Sequence, residues 1–290
     1  MSKLKAKDPT DAEPSKPKMV LYGPAGVGKT WFALSFPGVY YISPELGATR
    51  KHYTERLKSN GGVYLGPEDG ALDFEVLIDQ AKVLATEKHK FKTLVVDSIT
   101  EVFNASIQKE AERLGEKNAF GADKKPAIAY MRRFVNAVAR LDMNVIFVAH
   151  EKSEWGVVEG KREEIGKIPD CWDKLIYSLD LAFQAVKRGP DRKAVVRKSR
   201  LIGFPEGDSF ALDYAAFSER YGKDIMEKPA APIVMASPEQ VAEITRLVDL
   251  LKIDADTTEK WLEKANAENF SEFNVSQAEK IIKSLKSKIQ

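Results

Sequence analysis

The 290-residue sequence predicts an α/β fold with a mainly parallel sheet, and three observations predict it. Gly23-Pro24-Ala25-Gly26-Val27-Gly28-Lys29-Thr30 fits G-x-x-x-x-G-K-[ST] at every fixed position and directly follows the apolar run Met19-Val20-Leu21-Tyr22. That is the strand–turn–helix setting of a phosphate-binding loop, or P-loop. Short β-like runs then alternate with segments of helical spacing, as parallel strands joined by crossover helices require. Some runs, such as Val145-Ile146-Phe147-Val148-Ala149, are apolar throughout, as expected of strands covered on both faces.

Residues 1–17 are rich in Lys, Pro, Asp and Ser and carry no apolar stretch, which predicts a disordered arm. Strands are expected at 19–22, 39–42, 63–65, 93–97, 145–149, 181–186 and 194–198. Phe74, Leu77, Ile78, Ala81, Leu84 and Ala85 mark a helical face between the third and fourth. No helical pattern separates the last two strands. Residues 187–193 between them, with Gly189-Pro190 at the centre, predict an antiparallel hairpin at the end of the sheet. Pro229-Ala230-Ala231-Pro232 breaks the chain into a linker, 229–236. Beyond it Ser237-Pro238-Glu239 has the cap, first-turn proline and early acid of a helix start. Residues 237–290 therefore read as a small helical C-terminal module after a larger α/β domain at 18–228.

Composition excludes several classes. With 43% hydrophobic and 30% charged residues, and no apolar run near the roughly 18 residues of a membrane span, no membrane partner is expected. A single cysteine, Cys171, rules out an internal disulfide and a cysteine metal site and suits a cytoplasmic location. The formal charge of +2 is too small to imply a polyanionic partner by itself.

Polyphosphate binding needs backbone N–H groups turned around the β-phosphate, hence Gly23, Gly26 and Gly28. Lys29 is placed to reach the β- and γ-phosphates and Thr30 to put its hydroxyl on Mg²⁺, so ATP and Mg²⁺ are the expected cofactors. A second magnesium ligand is expected at a strand tip, and Leu94-Val95-Val96-Asp97-Ser98 supplies Asp97. Ser98 follows it, so the water-orienting acid is sought elsewhere. Glu45 closes the second strand, at the edge where the carboxyl ends of parallel strands meet. His150 closes the 145–149 strand and is a candidate γ-phosphate sensor or a satisfied strand-end histidine. Residues 187–200 hold seven basic side chains and one acid. They form a nucleic-acid contact, a set of fingers reaching a neighbouring subunit's nucleotide through Lys198 and Arg200, or a solvated turn.

Together these residues resemble a RecA-type ATPase core: P-loop, acid-bearing strand end at Glu45, Walker B strand ending in Asp97-Ser98, and a polar sensor at His150. Lys198-Ser199-Arg200 is similar to the Lys-x-Arg element that RecA-fold helicases offer across a subunit boundary. The stretch LYGPAGVGKTWFALSFPGVYYI and the final helical module are similar to the phage nucleotide-binding proteins of the single-strand-annealing group. That family usually has an Asp two residues before the acid, where this chain has Ser43. By the resemblance, DNA-binding loops fall at 115–127, with Lys117, Lys124 and Lys125, and at 151–170. The second carries Lys152, Trp155, Lys161 and Arg162, with a tryptophan able to stack on any base.

The resemblance implies an ATP-dependent protein that binds single-stranded DNA and promotes annealing or recombination in phage DNA metabolism. Self-association as a ring or filament, a single-stranded-DNA-binding protein as partner, and the bacterial host's cytoplasm follow from the same source. Two alternatives stay open: a P-loop kinase with 187–200 as a phosphate-clamping lid, and a RecA-fold helicase or loader. A GTPase is disfavoured because no Asn-Lys-x-Asp element occurs.

Overall fold

A computed structural model describes residues 15–45, 50–115, 121–265, 267 and 269–289. Its centre is an eight-stranded sheet. The strands are β1 (Lys18–Tyr22), β2 (Val39–Ile42), β3 (Val63–Leu65), β4 (Thr93–Asp97), β5 (Asn144–Ala149), β8 (Leu181–Arg188), β9 (Asp191–Ser199) and β10 (Ser209–Ala211). A separate two-stranded sheet holds β6 (Glu151–Val158) and β7 (Lys161–Pro169). The large sheet runs β10-β9-β8-β1-β5-β4-β2-β3. The six strands from β8 to β3 are mutually parallel, and β9 and β10 complete an antiparallel end. This is a RecA-type α/β core.

Period-two alternation divides the core between the sheet's faces. Val20 and Tyr22 of β1 pack on one side with α3 (Phe74–Thr86), α4 (Ile99–Leu114) and α5 (Lys124–Ala139); Met19 and Leu21 pack on the other with α1 (Lys29–Ala33) and α7 (Tyr214–Tyr221). Helix α1 has five residues, too few to be stable alone. Aromatic packing holds it: Phe32 lies 5.2 Å from Phe36 and 6.2 Å from Phe217, centroid to centroid.

Three readings of the sequence are corrected. Of the expected arm, residues 1–14 lie outside the described residues, but Lys16 is buried, its ammonium donating to the carbonyls of Asp142 and Lys228, and Val145 N donates to Pro17 O. A lysine stem closing the bottom of the sheet was hidden by its polar head. The segment 151–170, expected as a loop, is the β6–β7 hairpin, whose register from Glu151↔Pro169 to Val158↔Lys161 is broken by a bulge after Glu154. Its many charged residues masked the alternation, because neither face lies on the core. The loop at 115–127 ends earlier than expected, since Lys124 and Lys125 open α5, with Asp123 as its cap.

The β8–β9 turn contains only Gly189 and Pro190, because Arg188 pairs with Asp191. After the linker come α9 (Pro238–Leu250), α10 (Ala255–Ala265) and α11 (Val275–Lys286), packed on Ile244, Phe273 and Ala278. Reciprocal caps between Ser237 and Gln240 and between Asn274 and Gln277 start the first and last. Ile233 N donates to Ala85 O, and Lys82 pairs with Glu272 at 3.0 Å, which fastens this module to α3.

Candidate active site

The parallel register brings Tyr22, Ile42, Asp97 and Ala149 to one sheet edge. The P-loop leaves β1 there. Gly23, Gly26 and Gly28 have φ of 152°, 74° and 103°, values that side chains with a Cβ rarely adopt. At Gly23 space is also decisive: a Cβ would lie 2.6 Å from the carbonyl oxygen of Ala185 on β8. Pro24, Ala25 and Val27 complete the loop, with Val27 buried.

Lys29 folds back and donates to the carbonyls of Gly23 at 2.7 Å and Pro24 at 2.9 Å. Burial pushes its ammonium below the usual lysine range, against the opposing pull of Asp97, Glu151 and Glu45. Thr30 Oγ1 donates to Asp97 Oδ2 at 2.6 Å, and the Tyr41 hydroxyl reaches the same oxygen at 3.3 Å. Burial raises the Asp97 carboxyl, while the Thr30 bond and Lys29 lower it. A cation placed beside this pair would favour the carboxylate further.

Among the described residues, no group of three or more His, Cys, Asp or Glu side chains converges to hold a metal. The donor set at Thr30 and Asp97 suits a hard ion that takes a hydroxyl and one carboxylate and completes its shell with water and phosphate, as Mg²⁺ does. The residues thus fit both nucleotide and magnesium.

Glu45 lies beside this pair. Its Oε1 accepts from Ser98 Oγ at 3.3 Å and stands 3.5 Å from His150 Nε2. His150 Nδ1 is 3.7 Å from Glu101 Oε1, and His150 N donates to Thr100 Oγ1. Histidine therefore bridges two acids at the edge. Sequence reasoning placed Glu45 and His150 on separate strand ends and missed both their pairing and Glu101, which lies in the first turn of α4. It also missed Arg50, His52 and Tyr53, which with Thr30, Tyr41, Ser43, Glu45 and Asp97 line a cavity of about 570 Å³. No spacing signal marks those three, because they sit at the start of the helix Lys51–Ser59, whose position over the site is set by tertiary packing.

The remaining candidates fall elsewhere. Lys198 and Arg200 are at the opposite end of the sheet from the P-loop, since Ser199 pairs with Leu181 at the start of β8. Lys198 Nζ donates to the carbonyls of Leu179 and Asp180, and Arg200 to Tyr177 O. Neither can touch this chain's own nucleotide site, so any role there is toward another subunit. Lys152 is paired with Asp173 at 3.1 Å and Asp170 at 3.7 Å. Trp155 is 53% exposed, with the Arg162 guanidinium 5.3 Å from its ring centroid, and Lys161 is at the hairpin tip. Lys117 lies outside the described residues, and Lys124 and Lys125 are the first two residues of α5.

The hairpin is rooted in the candidate site. His150 O accepts from Asp170 N, Tyr22 OH donates to Lys167 O, and Gln184 Nε2 donates to Glu151 Oε2. Strand β1 leads into the P-loop and strand β5 into His150, so the hairpin base touches elements that end at the P-loop edge of the sheet.

A P-loop with a hydroxyl–carboxylate pair for magnesium and an acid beside it, on a RecA-type sheet, defines a P-loop ATPase. Residues 15–192 match the AAA domain family, and the chain belongs to that family. No curated protein matches the sequence significantly. Among solved structures the chain is similar to the RadB recombinase, at 20% identity over 67% of this chain and 84% of that one, with a TM-score of 0.42. It is also similar to a KaiC-like protein from the archaeon Pyrococcus horikoshii OT3, at 14% identity over 67% and 84%, TM-score 0.39. An ATPase from the type III secretion system of pathogenic bacteria is 15% identical over 95% of this chain and 82% of that one, TM-score 0.39. Among the described residues no helix is long and apolar enough to cross a membrane.

Proposed function

We propose that the chain is an ATP-dependent protein that binds single-stranded DNA through the β6–β7 hairpin, with hydrolysis controlling its grip. The observation that carries this reading is the hairpin's root: His150, 3.5 Å from Glu45, is directly followed by the strand that bears Trp155. A change at the γ-phosphate end of the site has a path of one close side-chain contact, Glu45 to His150, and one backbone hydrogen bond, Asp170 N to His150 O, to the hairpin base.

Bound Mg²⁺-ATP supplies the scissile phosphoryl group and the ion that neutralises its charge. Thr30 and Asp97 hold the ion's side of the site, and Lys29 exchanges its two carbonyl partners for phosphate oxygens. Glu45, exposed enough to meet a water, orients and deprotonates it. His150 keeps the Glu45 carboxylate in place. On the hairpin, Trp155 offers a stacking face, and Arg162 and Lys161 offer charge to the strand's phosphates. Lys124, Lys125 and Lys117 are secondary contacts in this reading, and Lys152 a weak one because two acids already hold it. Lys198 and Arg200 act between subunits of a ring or filament. Strand annealing in phage DNA metabolism, alongside a single-stranded-DNA-binding protein in a bacterial cytoplasm, is the setting this supports.

The test is single-stranded-DNA binding with and without a non-hydrolysable ATP analogue, on the wild type and Lys29→Ala. Nucleotide should change the wild type's DNA affinity and leave the variant's unchanged. Equal binding in all four conditions would sink the coupling. One observation favours a second reading: the cavity lined by Arg50, His52 and Tyr53 opens beside Thr30 and Asp97, where a kinase would seat its acceptor. Phosphoryl transfer to a metabolite, with no response to DNA, would establish that reading instead. Unwinding of a tailed duplex would mark a helicase.

A further inference from the structure

A second cavity, of about 590 Å³, opens on the P-loop at Gly28, on the side away from Glu45. One wall is Trp31, the residue after Thr30; the facing wall is the β8–β9 turn at Pro190 with Arg192, closed by Leu212 and Asp213 at the start of α7. We propose that this cavity is the nucleoside site, with Trp31 as the stacking platform for the base. The inference rests on the ATPase reading and adds the residues that would select a nucleotide over bare polyphosphate.

Direction decides first. A triphosphate is a linear group whose γ end is set by Thr30, Asp97 and Glu45, all of which line the other cavity. Its chain passes Lys29, so the α-phosphate and sugar must leave on the Gly28 side. Chemistry agrees. The Trp31 indole is 47% exposed, although large aromatic rings on a packed helix are usually covered. The Arg56 guanidinium from α2 (Lys51–Ser59) sits 4.0 Å from its centroid, which holds the ring in one orientation by a cation–π contact while leaving it bordering the cavity.

Arg192 adds the charge. Its Cδ would be 3.2 Å from a Cβ at position 28, so its stem runs against the P-loop. Its guanidinium makes no hydrogen bond or ion pair with a described residue. A cation so placed meets the phosphate nearest the sugar. Across the cavity Asp213 uses one carboxylate oxygen to cap α7 at Ala216 N; the other faces no described partner and can accept from a base amine or a ribose hydroxyl. Apolar walls, a stacking ring and a few polar groups are what small-ligand sites present.

The experiment measures calorimetric binding of Mg²⁺-ATP and of Mg²⁺-tripolyphosphate to the full chain, as wild type, Trp31→Ala and Trp31→Phe. Loss of a base-stacking ring lowers affinity by about tenfold or more. Trp31→Ala should therefore bind ATP at least about tenfold more weakly, bind tripolyphosphate within about twofold of wild type, and be largely rescued by Trp31→Phe. Equal loss for both ligands would show a damaged P-loop helix, and no loss for either would place the base elsewhere; each overturns the proposal. If the wild type binds neither ligand, the ATPase reading fails first. If it binds both and Trp31→Ala changes nothing, the ATPase reading stands and the nucleoside assignment alone falls.

Discussion

Gly23→Ala tests how the P-loop is held to the sheet. A methyl at Gly23 would sit 2.6 Å from the carbonyl oxygen of Ala185 and 3.3 Å from its Cβ. Ordinary contact begins at 3.4 Å, so the loop and β8 must separate by about 0.8 Å in a region where overpacking costs about 1–3 kcal/mol. The neighbour is backbone in a central strand and cannot swing aside. The φ of 152° adds strain for any residue with a Cβ. At roughly 2–4 °C per kcal/mol for a domain of this size, the midpoint should fall by about 2–12 °C. Gly26→Ala is the control, because a Cβ there meets nothing within 4 Å. It keeps the backbone strain of a positive φ, 74°, but not the clash, so its melting point should drop by less, while ATP affinity falls through the altered loop. Thermal denaturation and ATP titration on both variants read the difference. A Gly23→Ala protein that melts with the wild type would refute the close approach of loop and strand.

Other perturbations separate roles within the site. Glu45→Gln should keep Mg²⁺-ATP affinity within a few-fold and slow phosphate release by about 100-fold or more, as expected for loss of a general base; unchanged turnover would remove Glu45 from the chemistry. Thr30→Val deletes the donor to Asp97 and should weaken nucleotide binding in magnesium much more than in EDTA, and equal weakening would deny the hydroxyl a metal role. Trp155→Ala should weaken single-stranded-DNA binding by about fivefold or more, whereas Lys152→Ala, which loses a lysine already paired with Asp170 and Asp173, should matter little; the reverse order would move the DNA contact away from Trp155. Lys18 gives a pH signature. Burial holds its ammonium down to about 8 from the ordinary lysine value of 10.5, so between these values the unfolded chain binds more protons than the folded one, and stability rises with pH there. Lys18→Met should flatten that rise in melting temperature between pH 8 and 10.5, and parallel curves would show that Lys18 is not the source.

Much of the core could be read in advance. Apolar runs at 39–42 and 93–97 coincide with β2 and β4, since parallel strands buried on both faces leave a continuous signal, and the run at 63–65 coincides with β3, an edge strand whose Val63 and Tyr64 stay exposed. The β6–β7 hairpin could not be read this way: its exposed Trp155, Val157 and Ile165 are scattered among glycines and charged residues on a ribbon with no core beneath it. Helix α2 and the residues Arg50, His52 and Tyr53 were equally silent, because their placement depends on where the chain returns after β2. Lys16 looked like a tail residue until Asp142 and Lys228 were seen to enclose it.

The sequence by itself determined a P-loop, a strand-tip Asp97, an α/β sheet and a separate helical ending. These are local: glycine dihedrals, a fixed lysine and threonine, and hydrophobic period are written within a few residues. Only the tertiary structure decided that Glu45 and His150 are 3.5 Å apart, that Lys198 and Arg200 lie at the far end of the sheet from Lys29, and that Trp31 and Arg192 share a cavity. Each depends on strand order and register, which bring together residues about 100 or more positions apart or hold them at opposite edges. No local propensity encodes that choice; it follows from which strands pair and in which direction they run.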